Sequence, residues 1–225
     1  MSVDEIIVVD KPKGITSHDV VDAVRRRFGI RKVGHAGTLD PMATGVLVVL
    51  TGKRTKESEI FLKDDKEYEG ELTLGATSDT QDAEGRIAAS GKPIDFTEDE
   101  IRAVFTKFVG AIEQAPPAYS AVKHNGKKLY ELARKGIIVK KEPRKITILS
   151  LDILGISLPK IRFKVVCSKG TYIRQLAADI GARLGCGAYL SALRRTRSGR
   201  FAISDAITLD ELVRLTGHDP QLIAK

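Results

Sequence analysis

Apolar residues in this chain are spaced differently from place to place, and each spacing predicts an element. Ile6 to Asp10 is a short apolar run that reads as a strand, ended by a turn at Lys11 to Gly14. Behind Ser17, a good N-cap, Val20, Val21, Val24 and Phe28 share one helical face and predict a helix to about Phe28. Val46 to Leu50 is apolar without a break, as a buried strand requires, and Lys53 to Leu62 suits a short helix. Glu67 to Leu74 alternates, with Tyr68, Leu72 and Leu74 on one side of a strand, and polar Gly75 to Arg86 predicts a loop.

In the second half, Thr97 and Glu100 form a capping box ahead of Ile101, Val104, Phe105 and Phe108 at helical spacing. The two prolines of Gln114 to Lys123 predict a rigid extended segment, and Lys127 to Lys135 a short basic helix stopped by Gly136. Ile146 to Ile156 and Ile161 to Cys167 read as strands. A turn at Ser168 to Gly170 leads to a helix from about Tyr172 to Leu184, closed by Gly185. Ala188 to Arg195 and Phe201 to Ser204 are the final expected strands, and a capping box at Thr208 and Glu211 starts a last helix. Strands and helices interleave without a regular βαβ rhythm, repeat or linker, which indicates an α+β fold in one continuous domain, residues 1–225.

The stretch Gly34 to Gly45, G-H-A-G-T-L-D-P-M-A-T-G, holds three glycines, a proline and a single carboxylate, and predicts a loop rather than a helix or ordinary strand. A lone acid on a loop anchored by the apolar run behind it is a place for chemistry. The same Asp40-Pro41 pair also suits a plain turn, and local physics leaves both readings open.

Charge adds a partner class. The net charge is +8, concentrated in Arg25 to Arg27 with Arg31 and Lys32, in Lys123 to Lys145, and in Arg194 to Arg200. Clustered cations suit a polyanion, and nucleic acid is the expected one. No apolar run approaches the roughly 18 residues of a membrane span. The acidic N-terminus lacks a secretory signal's basic start, so a cytoplasmic location is expected. The two cysteines, Cys167 and Cys186, make no metal or redox spacing.

Several chemistries are excluded by their missing motifs: no phosphate-binding glycine loop, no H-E-x-x-H, no G-x-S-x-G around Ser120. His18, His35, His124 and His218 do not pair at metal-ligand spacing, and the acids of the S-D-T-Q-D-A-E-G loop lack a calcium loop's order. Neither metal nor cofactor is expected. The remaining candidates are Asp40, Tyr68, Tyr172 and Arg174, with His35 close to Asp40. Each has a plain alternative: Tyr68 and Tyr172 as packing residues, Arg174 as a surface cation, His35 as a turn residue.

Longer motifs carry a resemblance. V-V-D-K-P-K-G-I-T-S-H-D-V-V (Val8 to Val21), V-G-H-A-G-T-L-D-P-M-A-T-G-V-L (Val33 to Leu47) and K-E-Y-E-G (Lys66 to Gly70) resemble the TruB family of pseudouridine synthases. So do S-D-T-Q-D-A-E-G, Q-A-P-P-A-Y-S-A-V-K, C-S-K-G-T-Y-I-R-Q-L-A-A-D-I-G (Cys167 to Gly181) and L-R-R-T-R-S-G (Leu193 to Gly199). The likeness is collinear over nearly the whole chain. It is strongest to the bacterial stand-alone branch, which converts the T-loop uridine at tRNA position 55. Relatives that work in guide-RNA complexes share the G-T-L-D-P loop but typically carry extensions.

The resemblance implies a pseudouridine synthase fold, a mixed and largely antiparallel sheet flanked by helices and loops. It implies Asp40 as the catalytic aspartate, Tyr68 as the tyrosine that stacks on the target base, and Arg174 as the arginine that pairs with the aspartate. His35, Tyr172 and Leu193 match residues around the flipped nucleotide, and Pro12 and Lys13 a motif that supports the loop. The expected partner is the tRNA T-arm, without membrane, small-molecule cofactor or obligatory protein partner. After Gly199 only residues 200–225 remain, so the PUA-type RNA-binding module common in bacterial relatives is not expected. Two rivals stand beside this reading: a guide-dependent or multi-target RNA pseudouridylase, and a non-catalytic RNA-folding helper.

Overall fold

The computed structural model describes residues 4–120, 122–139 and 141–214. The chain divides into two compact units, Met1–Glu69 with Leu193–Lys225, and Gly70–Ala192.

The first unit opens with β1 (Ile6–Lys11), α1 (Ser17–Phe28), β2 (Val33–Ala36) and β3 (Thr44–Thr51). β3 is the strand that the apolar run predicts, with every residue from Gly45 to Thr51 buried. β1 runs antiparallel to it, in register from Ile6–Leu50 to Lys11–Gly45, and so does β2, from Val33–Thr51 to Ala36–Val48. The expected loop therefore begins later than its glycines suggest. Gly34, His35 and Ala36 are strand because their backbone pairs with β3, and only residues 37–43 form the connection.

α1 is capped by Thr16, not Ser17: the Thr16 hydroxyl accepts the Asp19 N–H, and the Asp19 carboxylate accepts the Thr16 N–H at 2.7 Å. Ser17 is buried inside the first turn, where its hydroxyl is committed to Leu39. The helix expected at Lys53 to Leu62 is split into a 3₁₀ turn (Gly52–Glu57) and α2 (Ser58–Leu62). β4 (Lys66–Leu74) starts in this unit and ends in the next, with alternate residues from Lys66 to Leu74 buried as predicted.

In the second unit, β5 (Ala76–Ser78) and β6 (Ile87–Ala89) pair as a hairpin around the polar stretch. Both are short and neither has a buried residue, so no apolar alternation marks them. α3 (Glu98–Thr106) carries the predicted capping box, and β7 (Gly110–Gln114) follows. Lys127 and Lys128 belong to a small hairpin, β8 (Lys123–His124) with β9 (Lys127–Lys128), so α4 (Leu129–Ala133) is shorter than the basic helix expected there. β10 (Arg144–Ser157) pairs antiparallel with β7 and with β11 (Lys160–Cys167), whose Ile161, Phe163, Val165 and Cys167 are buried in strict alternation. α5 (Ile173–Leu184) ends at Gly185 in the left-handed conformation, and β12 (Ala188–Ser198) follows.

Back in the first unit, the end of β12 lies parallel to β3, with Arg194 opposite Thr44 and Arg195 opposite Gly45. β13 (Phe201–Ala202) is shorter than the strand expected to Ser204. The Asp205 carboxylate accepts the Ala202 N–H at 2.8 Å and folds Ile203–Asp205 into a 3₁₀ turn. β14 (Ile207–Thr208) pairs parallel with β1, and α6 (Leu209–Arg214) begins at the predicted capping box. The expected helix beyond Arg214, and His218, lie outside the described residues. Ile6, Val8, Ala36, Val46, Val48, Leu50 and Phe201 form one apolar cluster of this unit, against which Phe61 and Ile203 pack.

Apart from β3 with β12 and β1 with β14, the registered pairs are antiparallel. The architecture is thus α+β, with a mixed and largely antiparallel sheet flanked by helices. Among the described residues no helix is long and apolar enough to cross a membrane.

Gly45 is where β3 and β12 come closest. Its φ is +101°, and a Cβ there would lie 2.2 Å from the Arg195 carbonyl oxygen, a backbone atom that cannot step aside. Gly45→Ala is expected to destabilise the protein by about 3 kcal/mol or more, read as a lower denaturation midpoint. A midpoint equal to that of the parent protein would contradict this packing.

Candidate active site

Residues 37–43 carry Asp40 and are held mainly through their backbone. The Ser17 hydroxyl donates to the Leu39 carbonyl at 3.0 Å and accepts the Leu39 N–H at 2.8 Å. On the other side of Asp40, the Pro41 carbonyl receives the Gly14 N–H at 2.8 Å and the Lys11 ammonium at 3.3 Å. Lys11 also donates to the carbonyls of Ile15 at 2.7 Å and Pro12 at 2.9 Å, and is fully buried. The Ala43 N–H closes a turn onto the Asp40 carbonyl at 3.0 Å. Both chain neighbours of the carboxylate are thereby pinned from α1 and from the turn after β1.

Arg195 holds the ends of the same connection. Its Nε donates to the Val46 carbonyl at 2.7 Å and one terminal nitrogen to the Gly37 carbonyl at 3.0 Å, with the residue 1% exposed. Arg194 turns the other way, to the Asp10 carboxylate at 2.7 Å and the Thr44 hydroxyl at 3.3 Å.

Other expected residues of this unit fall as follows. His35 lies on β2 opposite Val49, with Nδ1 buried and without a hydrogen-bond partner among the described residues. Burial pushes its imidazole below the usual histidine range, and the nearby charges of Arg195 and His18 push it the same way. Tyr68 is buried on the inward phase of β4. Leu193 is half-buried, and its carbonyl accepts the Thr44 hydroxyl at 3.5 Å. Pro12 and Lys13 are exposed. The lysine whose ammonium reaches the Asp40 connection is Lys11.

In the second unit, Arg174 is internal rather than a surface cation. It faces the Asp82 carboxylate at 3.5 Å, both side chains being 5% exposed, and donates to the carbonyls of Thr80 at 2.8 Å and Tyr119 at 2.9 Å. Tyr172 is the N-cap residue of α5 and supplies no side-chain cap. The buried Gln114 amide brackets it instead, donating to the Tyr172 carbonyl at 3.1 Å and accepting its N–H at 2.8 Å. Asp82 is engaged by Arg174, by the Thr80 hydroxyl and by the Glu84 N–H. Among the described residues no group of three or more metal-type side chains converges.

Four residues hold structural roles not expected from the sequence: Lys11, Ser17, Gln114 and Arg195. Lys11 carried a signal, since it is in phase with Ile7 and Val9 along β1 and so sits where an apolar residue belongs. Arg195 carried none, standing in a run of arginines that reads as a solvated basic patch.

Two family models cover most of the chain: "TruB family pseudouridylate synthase (N terminal domain)" over residues 25–173 and "tRNA pseudouridylate synthase B C-terminal domain" over 174–222. The fold and the matched sequence thus define a pseudouridylate synthase. Within that class, the chain belongs to the TruB family. It is 49% identical to the tRNA pseudouridine synthase B of Syntrophotalea carbinolica over 97% of this chain and 72% of that protein. It is also 49% identical to the one of Opitutus terrae, over 94% of this chain and 88% of that protein. Among solved structures it is similar to the matching chain of a Cbf5–Nop10–Gar1 complex, with a TM-score of 0.74 and 36% identity over 93% of this chain. The chain spans about half, 53%, of that longer chain.

The lowered affinity of His35 for a proton makes stability depend on pH. The folded state refuses a proton that the unfolded state accepts near the ordinary value of 6.5, so this contribution is intact above that value and declines as pH falls below it. His35→Gln is expected to flatten the fall in unfolding free energy between pH 7 and 5.5. One proton sets an upper limit of about 1.4 kcal/mol per pH unit. Identical slopes for the two proteins in urea titrations would show that His35 titrates normally.

Proposed function

We propose that this protein is an enzyme that isomerises uridine to pseudouridine in the T-loop of tRNA, at position 55, with Asp40 as the catalytic carboxylate. The observation that carries the reading is the single acid of the β2–β3 connection, pinned on both sides by Ser17 and Lys11, in a chain of the TruB family.

The chemistry asks for what such a loop offers. The bond from the ribose C1′ to N1 of uracil breaks, a bond from C1′ to C5 forms, and a proton leaves C5 as one is gained at N1. Every atom is retained and no electron is exchanged, so the steps call for a nucleophile or base at the ribose or the ring, and a carboxylate can be either. The target must leave its stack to be reached, at a cost that stacking on an aromatic ring repays by about 1–3 kcal/mol. Tyr68 is the aromatic assigned to that role. His35, Tyr172 and Leu193 are assigned to the surroundings of the everted nucleotide, and Arg174 is the second charged group of the reaction. Exposed cations would hold the phosphate backbone, and the folded shape of the T-arm would select the target. The whole chain acts as one catalytic domain in the cytoplasm, without cofactor or obligatory protein partner.

The test is incubation of the purified protein with an unmodified tRNA transcript, followed by chemical mapping of pseudouridine. The expected outcome is one modified position, in the T-loop, without added protein or guide RNA. Asp40→Asn is expected to lower turnover at least about 10³-fold while tRNA affinity stays within a few-fold. Modification only in the presence of a guide particle would favour the guide-dependent reading. Full turnover by Asp40→Asn would remove the catalytic assignment.

A further inference from the structure

Among the described residues, the first unit buries three cations, Lys11, Lys66 and Arg195. Lys66 caps the end of α2, donating to the carbonyls of Phe61, Leu62 and Asp64, and Lys11 closes the turn after β1 onto Pro41. Arg195 has no such local task. Its hydrogen bonds run to backbone carbonyls far away in sequence rather than to a carboxylate, although burying a guanidinium is costly. The two acceptors bracket one segment: Gly37 begins the connection that carries Asp40, and Val46 lies just past its end, within β3.

We propose that Arg195 is the positioning residue of Asp40, a role that rests on the catalytic reading of Asp40 above. One planar guanidinium donates from two edges, so the fork sets the separation between the start and the end of the connection, as a flexible point charge would not. The backbone of Arg195 acts in the same sense. It lies against Gly45, with no room for a Cβ between Gly45 and its carbonyl, so the chain on which the fork is mounted is registered to β3. Ser17 and Lys11 pin the residues on either side of Asp40, and Arg195 fixes the frame in which those pins act. Misplacing a catalytic group by about 1 Å costs about 10²-fold in rate, which is the size of effect expected when the frame relaxes.

The test compares Arg195→Lys and Arg195→Met with the parent protein in three measurements: kcat and KM on an unmodified tRNA transcript, thermal unfolding, and amide hydrogen exchange followed peptide by peptide. The lysine variant keeps the charge and loses the fork. Its kcat is expected to fall about 10- to 100-fold with KM within about threefold, and exchange is expected to rise in peptides covering residues 37–46 but not in β10 and β11. Arg195→Met should behave the same way. If it fails to fold, the lysine variant decides. Three results would overturn the proposal: kcat within about twofold of the parent in a folded variant, a loss confined to KM as for a phosphate contact, or faster exchange throughout the protein. An inactive parent protein would sink the catalytic reading instead, and the exchange pattern at residues 37–46 would still judge what Arg195 holds.

Discussion

Backbone carbonyls that point inward must find donors, and in this protein the carbonyls around Asp40 find them on buried side chains. Gly37 and Val46 are served by Arg195, Pro41 by Lys11, and Leu39 by Ser17. An unpaired buried carbonyl costs about 1–3 kcal/mol, so each of these bonds ties the shape of the connection to the stability of the unit. The donors come from β1 and α1, which precede the connection, and from β12, whose Arg195 stands 158 residues from Gly37. The connection therefore takes its shape only when the whole unit has folded. Its own residues contribute mostly permissive features, a glycine at its start and a proline after the acid.

This arrangement changes the meaning of the positive charge. A net +8 with clustered arginines reads as a phosphate-binding surface, yet several of the cations are internal struts. Lys11, Lys66, Arg174 and Arg195 are buried, and Arg194 reaches Asp10. Lys13, Arg26 and Arg200 are exposed and remain available to a polyanion. Positive charge in a sequence thus mixes two populations that only burial separates.

What was legible follows the same division. Elements whose apolar spacing is regular, β3, β11, α3 and α5, were readable because burial of one face or of both imposes that spacing. The acid in the glycine loop and the family likeness were readable because they are contiguous. β2 was hidden by its glycine and histidine, β5 and β6 by their exposure, and the cap of α1 by the adjacent Ser17, whose hydroxyl a tertiary contact had taken. Arg195 and Gln114 were hidden for a deeper reason. Each serves backbone far away in sequence, Gly37 in one case and Tyr172 in the other, and no local pattern records a donor's distant acceptor.

On the catalytic reading of Asp40, its carboxylate is presented by backbone that is already locked before RNA arrives. Amide ¹⁵N relaxation of the protein without RNA measures this directly at Gly37 to Asp40, Met42 and Ala43. Order parameters of about 0.85, equal to those of β3, are the predicted result. Values below about 0.6 at these amides, with β3 rigid, would show a loop that takes its shape only on the substrate, and would contradict the account.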